Sequence, residues 1–180
     1  DIISSPDEIY GKKVIIMPGV GAFDYAIQTL TSNGWIEPLY KHVIVDKKII
    51  LGICLGMQIM TRGSEEGSLK GLGFVDADTV KFNFNNINEK KKIPHMGWNK
   101  INVQGKNNLF ESGDGSERFY FANSYHVVCD NDDDILTTTQ YGYNFTSAYK
   151  KNNIIGVQFH PEKSHKYGYN FFEKFIKHFS

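Results

Sequence analysis

Apolar residues fall in short runs broken by glycine, asparagine and aspartate, and the period of the runs changes along the chain. Lys12 to Met17 is an apolar run that stops at Pro18-Gly19-Val20-Gly21, which predicts a strand and then a glycine-rich turn. Phe23 to Asn33 places Phe23, Ile27 and Leu30 on one helical stripe and ends at Asn33-Gly34. His42 to Val45 reads as the end of a second helix. Lys48 to Ile53 is apolar on both faces, as in the middle of a parallel sheet. Leu55 to Arg62 returns to helical spacing, with Leu55, Ile59 and Arg62 on one side and Met57 and Met60 free for the core.

From Gly71 the pattern becomes strand-like. Gly73 to Phe84, Trp98 to Val103, Arg118 to Val128 and Ile135 to Tyr141 read as successive strands. The turns between them are marked by Asn107-Asn108, Ser112-Gly113-Asp114-Gly115 and Asp130-Asn131-Asp132-Asp133-Asp134. Thr146 to Lys150 and Ile154 to Phe159 form a hairpin around Lys151-Asn152-Asn153, and an amphipathic helix runs from about Tyr167 to Phe179. The layout is α/β: a doubly wound, mostly parallel sheet with helices on both faces and an antiparallel β insertion, in a single domain spanning residues 1–180.

Composition narrows the partners. The chain has 180 residues, 41% of them hydrophobic and 22% charged, enough for one well-buried domain and short for two. Twenty basic and twenty acidic residues cancel, which removes the electrostatic case for nucleic acid or an anionic membrane. The run Lys90-Lys91-Lys92 reads as a solvated edge. Cys54 and Cys129 show no paired spacing, which argues for a reducing compartment and against a disulfide scaffold or structural zinc. No secretory leader opens the sequence and no segment approaches about 18 uninterrupted apolar residues, so a cytoplasmic location is expected.

Two stretches carry chemistry. In Leu51-Gly52-Ile53-Cys54-Leu55-Gly56-Met57-Gln58 a cysteine stands between two glycines where a strand gives way to a helix. G-x-C-x-G is the thiol counterpart of the G-x-S-x-G elbow, in which a sharp turn aims the nucleophile away from the sheet. The helix opening at Leu55 should lower the thiol pKa through its free N–H groups and positive end. A buried cysteine filling a core gap is the commoner alternative for such a residue. Downstream, Phe159-His160-Pro161-Glu162 sets an imidazole and a carboxylate two positions apart at a strand end. Cys54 as nucleophile, His160 as base and Glu162 as orienter make the apparatus of covalent acyl transfer. A zinc reading of His160 with His165 lacks further ligands at sensible spacing, so no metal is expected. Pro18-Gly19-Val20-Gly21 could present N–H groups to an oxyanion, with the Leu55 N–H as second donor. A phosphate cradle is the other reading of that turn, although the phosphate-loop patterns are missing.

These residues resemble the class I glutamine amidotransferases. Pro18-Gly-Val-Gly-Ala-Phe23, Gly52-Ile-Cys-Leu-Gly-Met-Gln58, Ser64-Glu-Glu-Gly67, Pro94-His-Met-Gly-Trp98 and Gly156-Val-Gln-Phe-His-Pro-Glu-Lys-Ser164 are similar to the glutaminase subunits of imidazole glycerol phosphate synthase, over essentially the whole chain. The resemblance implies that Cys54 attacks the side-chain amide of glutamine, His160 relays the proton and Glu162 orients His160. It places Gly19, Val20 and Leu55 in the oxyanion region, and Gly21, Gln58, Glu66, Ser124 and Tyr125 around the glutamine head group. His95, Met96, Trp98 and Lys163 match a face that docks on a (β/α)8-barrel cyclase subunit, to which ammonia would pass, forming a heterodimer. No cofactor is implied. Two departures stand out. Family members open with a strand ending in Ile-Asp-Tyr-Gly-x-Gly-Asn, so the first strand is expected to be missing here and an apolar sheet edge to be open. Asn123-Ser124-Tyr125 stands where the family usually shows His-Ser-Tyr. Paralogous subunits supplying ammonia to amidino-sugar synthesis, and stand-alone cysteine hydrolases or peptidases, are the alternative functions.

Overall fold

A computed structural model describes residues 1–85, 91–105, 107–110 and 117–179. The expected turn at Ser112 to Gly115 and Lys90 of the lysine run lie outside the described residues. Strand β1 (Val14–Gly19) leads into helix α1 (Phe23–Ser32), and α2 (Ile36–Tyr40) continues into a π turn over Lys41–Val45. Strand β2 (Ile49–Cys54) runs directly into the short helix α3 (Leu55–Ile59). Then follow β3 (Ala77–Lys81), β4 (His95–Lys100), β5 (Asn102–Val103), β6 (Arg118–Asn123), β7 (Tyr125–Cys129), β8 (Ile135–Tyr141), β9 (Tyr143–Lys151), β10 (Ile154–Val157) and α4 (His165–Phe179).

The main sheet runs β1-β2-β10-β9-β7-β3, with β8 on β9 and β5 on β8; β4 and β6 form a separate two-stranded ribbon. Parallel pairing between strands is confined to β1–β2 and β2–β10, and the other strand pairs are antiparallel. The parallel part is thus smaller than the apolar runs suggest. The cause is local: Asn152, at φ 54°, turns β9 back on β10 as a tight hairpin, with Ile154 opposite Lys151. Two strands expected to be continuous are broken. Arg118 to Val128 divides at Ser124, because β6 pairs with β4 while β7 pairs with β3 and β9. Trp98 to Val103 divides in the same way, β4 joining the ribbon and β5 the main sheet.

The core lies on both faces of the sheet. Leu51 and Ile53 of β2 and Ile155 and Val157 of β10 meet Phe171 and Phe175 of α4, while Ile50 and Ile154 point the other way, toward Ile9, Leu39, Val43, Met57 and Met60. That alternation explains why both strands read as continuous apolar runs. β1 is an edge strand, and apolar Ile16 on it is 46% exposed. No helix among the described residues is long and apolar enough to cross a membrane.

Candidate active site

The carboxyl ends of β1 and β2 bring the glycine-rich turn and the cysteine together, with Gly19 opposite Cys54 in the parallel register. Cys54 has φ 53° and ψ −109°, a conformation costly for a residue with a side chain, of order 1–3 kcal/mol. Close packing enforces it. A Cβ on Gly56 would fall on the Met17 carbonyl oxygen, and one on Gly52 would come within 2.6 Å of the Gly56 carbonyl oxygen. Only glycines at both positions let α3 start this close to the sheet. The elbow tips the sulfur into a cavity of about 310 Å³, a size suited to a small metabolite.

His160 opens on the same cavity from the far end of β10. Its Nδ1 lies 2.7 Å from Oε1 of Glu162. A carboxylate only accepts hydrogen bonds, so Nδ1 carries the proton and Nε2 is left as the basic nitrogen. The backbone here is locked to β6. His160 N–H donates to the Tyr120 carbonyl at 2.8 Å, and the Ser164 hydroxyl donates to the His160 carbonyl at 2.6 Å while accepting from Tyr120 N–H at 3.0 Å. Ser164 is fully buried and its role was not evident in the sequence.

Val20, Gly21, Leu55, Gln58, Glu66, Ser124 and Tyr125 line the cavity with Cys54 and His160. One oxygen of Glu66 accepts the N–H of Phe23 at 2.9 Å, which caps α1 from outside because Ala22 has no capping side chain. Gly19 packs behind the cavity, a Cβ there meeting Leu55 Cβ at 3.0 Å. Lys163, expected on the docking face, lines the cavity mouth. Met96 and Trp98 are 64% and 44% exposed on one face of β4. His95 does not join them. It points to the opposite face, where it is 3% exposed and stacked on Phe121 and Tyr141, so its place on a docking face is corrected to a place behind it.

The electrostatics also depart from expectation. Burial pushes the Cys54 thiol up to about 11, against the pull of the Leu55 N–H, of Lys163 and of Gln158; Glu162 adds to the rise. Desolvation outweighs the helix terminus, so the expected lowering of the thiol pKa is overturned. His95 is held at about 4 by burial, with its Nε2 near Asn99 Nδ2 at 3.2 Å. Asn123, its cross-strand partner, donates to the Tyr125 carbonyl at 2.8 Å, and its side chain opposes part of the fall in the His95 pKa.

Known proteins share the sequence and the fold of this chain. The family model of glutamine amidotransferase class-I matches residues 2–179. The chain is 51% identical over 177 residues to imidazole glycerol phosphate synthase subunit HisH 2 of Methanococcus maripaludis, covering 98% of this chain and 86% of that one. It is 41% identical over 173 residues to the protein of the same name in Pseudomonas aeruginosa, covering 96% and 84%. Among solved structures, a putative GMP synthase subunit from Thermoplasma acidophilum aligns with a TM-score of 0.66 at 22% identity, covering 96% of this chain and 75% of that one. A glutamine amidotransferase aligns at 0.69 and 17%, covering 96% and 84%. At these identities the structural likenesses concern the fold alone.

Proposed function

Because the chain belongs to the class I glutamine amidotransferase family, we propose that it hydrolyses glutamine to glutamate and ammonia and delivers the ammonia to a (β/α)8-barrel cyclase subunit. The observation that carries this reading is the Cys54 elbow opening on the same cavity as His160, whose Nδ1 is bound to Glu162. The Cys54 proton passes to His160 Nε2 as sulfur bonds to the amide carbon. The carbonyl oxygen then carries negative charge, met by the N–H groups of Val20 and Leu55. Collapse of this intermediate breaks the C–N bond, His160 returns the proton to nitrogen, and ammonia leaves a thioester. Water, deprotonated by His160, cleaves the thioester to glutamate and restores the thiol.

Burial pushes the resting Cys54 thiol up to about 11, and His160, on the same cavity, is the base that takes its proton. Glu66, whose second oxygen is free of its cap, would face the substrate ammonium, with Gly21, Gln58, Ser124 and Tyr125 around the head group. Met96 and Trp98, large and exposed on one strand face, suit an interface anchor on the barrel. The relatives named imidazole glycerol phosphate synthase subunit HisH support imidazole glycerol phosphate and an aminoimidazole carboxamide ribotide as the products of the assembled pair, in histidine biosynthesis. Asn123, in place of the family's histidine, leaves open a second reading in which the ammonia serves amidino-sugar synthesis.

The test pairs this chain with each candidate barrel subunit. Cys54→Ala should remove glutamine-dependent product formation, at least 10³-fold by the usual contribution of a covalent nucleophile, and leave ammonia-dependent formation by the partner intact. Loss of both activities would contradict ammonia delivery, and glutamine turnover surviving in Cys54→Ala would contradict the nucleophile.

A further inference from the structure

A glutamine interrupts the apolar run of β10 and its exit, and it is fully buried. Burying an uncharged amide is costly unless its hydrogen bonds are made. Gln158 makes them in a fixed direction. Its Oε1 accepts from Gln58 Nε2 at 2.9 Å, and its Nε2 donates to Cys54 Sγ at 3.7 Å, within the longer reach of sulfur. Among the described residues it is the only side chain hydrogen-bonded to that sulfur.

The direction is set by a backbone group. Gln58 Nε2 also donates to the Tyr125 carbonyl, at 3.1 Å. If Gln58 were turned over, its own oxygen would oppose that carbonyl, acceptor against acceptor. If Gln158 alone were turned over, two NH₂ groups would oppose each other. The carbonyl therefore fixes Gln58, Gln58 fixes Gln158, and an N–H is left aimed at the sulfur.

We propose that Gln158 is a positioning residue whose side-chain amide, oriented through Gln58 by the Tyr125 carbonyl, holds the Cys54 sulfur and favours its thiolate. The donor stabilises S⁻ more than S–H. This rests on Cys54 being the nucleophile, yet it concerns the thiol and not glutamine.

Alkylation of Cys54 by iodoacetamide, followed across pH with ultraviolet thiolate absorbance alongside, is the test. Gln158→Met keeps length without a donor and should lower the thiolate fraction at a given pH about tenfold; Gln158→Glu, which sets a carboxylate beside the sulfur, should lower it further. Profiles superimposable on the unaltered protein, in variants that still unfold cooperatively, would overturn the proposal. If both variants fail to fold, the unaltered protein decides. The Gln158 side-chain ¹⁵N resonance should move when Cys54 is alkylated, and a stationary resonance would reject the contact. A shifted thiol profile without glutamine turnover would fail the proposed function alone, and turnover with an unshifted profile would fail this inference alone.

Discussion

Glu162 keeps about half of its side chain in solvent, whereas the His160 it touches is buried. A carboxylate so placed can orient an imidazole but gives up little hydration in doing so. Glu162→Gln is therefore expected to lower the glutaminase rate constant on the order of 10²-fold, mainly by admitting the wrong tautomer, and to leave more activity than Cys54→Ala. Equal losses in the two variants, measured by glutamate release, would refute this division of labour. At this scale the sequence exposed what is local. The elbow cysteine and the His-Pro-Glu turn are motifs within a few residues, so their place at one cavity could be anticipated from the sequence. The Cys54 thiol pKa could not, since it follows from how deeply distant strands bury the sulfur. Gln158 was legible in principle: a glutamine inside an otherwise apolar run is a polar group in need of partners.

Elements meet most tightly where α3 leaves β2. Gly56→Ala would drive a methyl group into the Met17 carbonyl of β1, backbone that cannot yield as a side chain would. The expected outcome is a loss of about 3 kcal/mol in unfolding free energy or a failure to fold, read from denaturant midpoints; a midpoint matching the parent would contradict this packing. Element boundaries were readable where period and breaker agreed, as for α1 between Pro18-Gly19-Val20-Gly21 and Asn33-Gly34. They were not readable at Ser124 or between Lys100 and Asn102, where a strand changes sheets without any change of period. The inward face of His95 has another origin: its place beside Met96 and Trp98 came from the family resemblance, whereas in a strand that starts at His95 neighbouring residues take opposite faces.

Across the whole molecule, His42, His95 and His126 are buried and held neutral by desolvation, His42 with a buried Nε2 that has no hydrogen bond. Each has its folded pKa below the ordinary 6.5, so between that value and the folded one the unfolded chain binds more protons. Stability should be full above pH 6.5 and fall as pH drops toward 5. His95, at about 4, would contribute roughly 3 kcal/mol once the fall is complete. The depressed carboxyls of Asp24 and Asp130 stay ionised in this range, in both states, and do not blur the effect. Urea midpoints at pH 7.5, 6 and 5 would check it, and a flat series would rule it out.

The ribbon of β4 and β6 ties two ends of this molecule together. Trp98 sits opposite Tyr120, and the same Tyr120 backbone grips His160 and Ser164. The exposed Trp98 and the backbone that carries the imidazole are thus one rung apart, on a path that avoids the sheet interior. Were a partner to dock on Trp98 as proposed, a displacement of β4 would reach the backbone of the base through two strands alone.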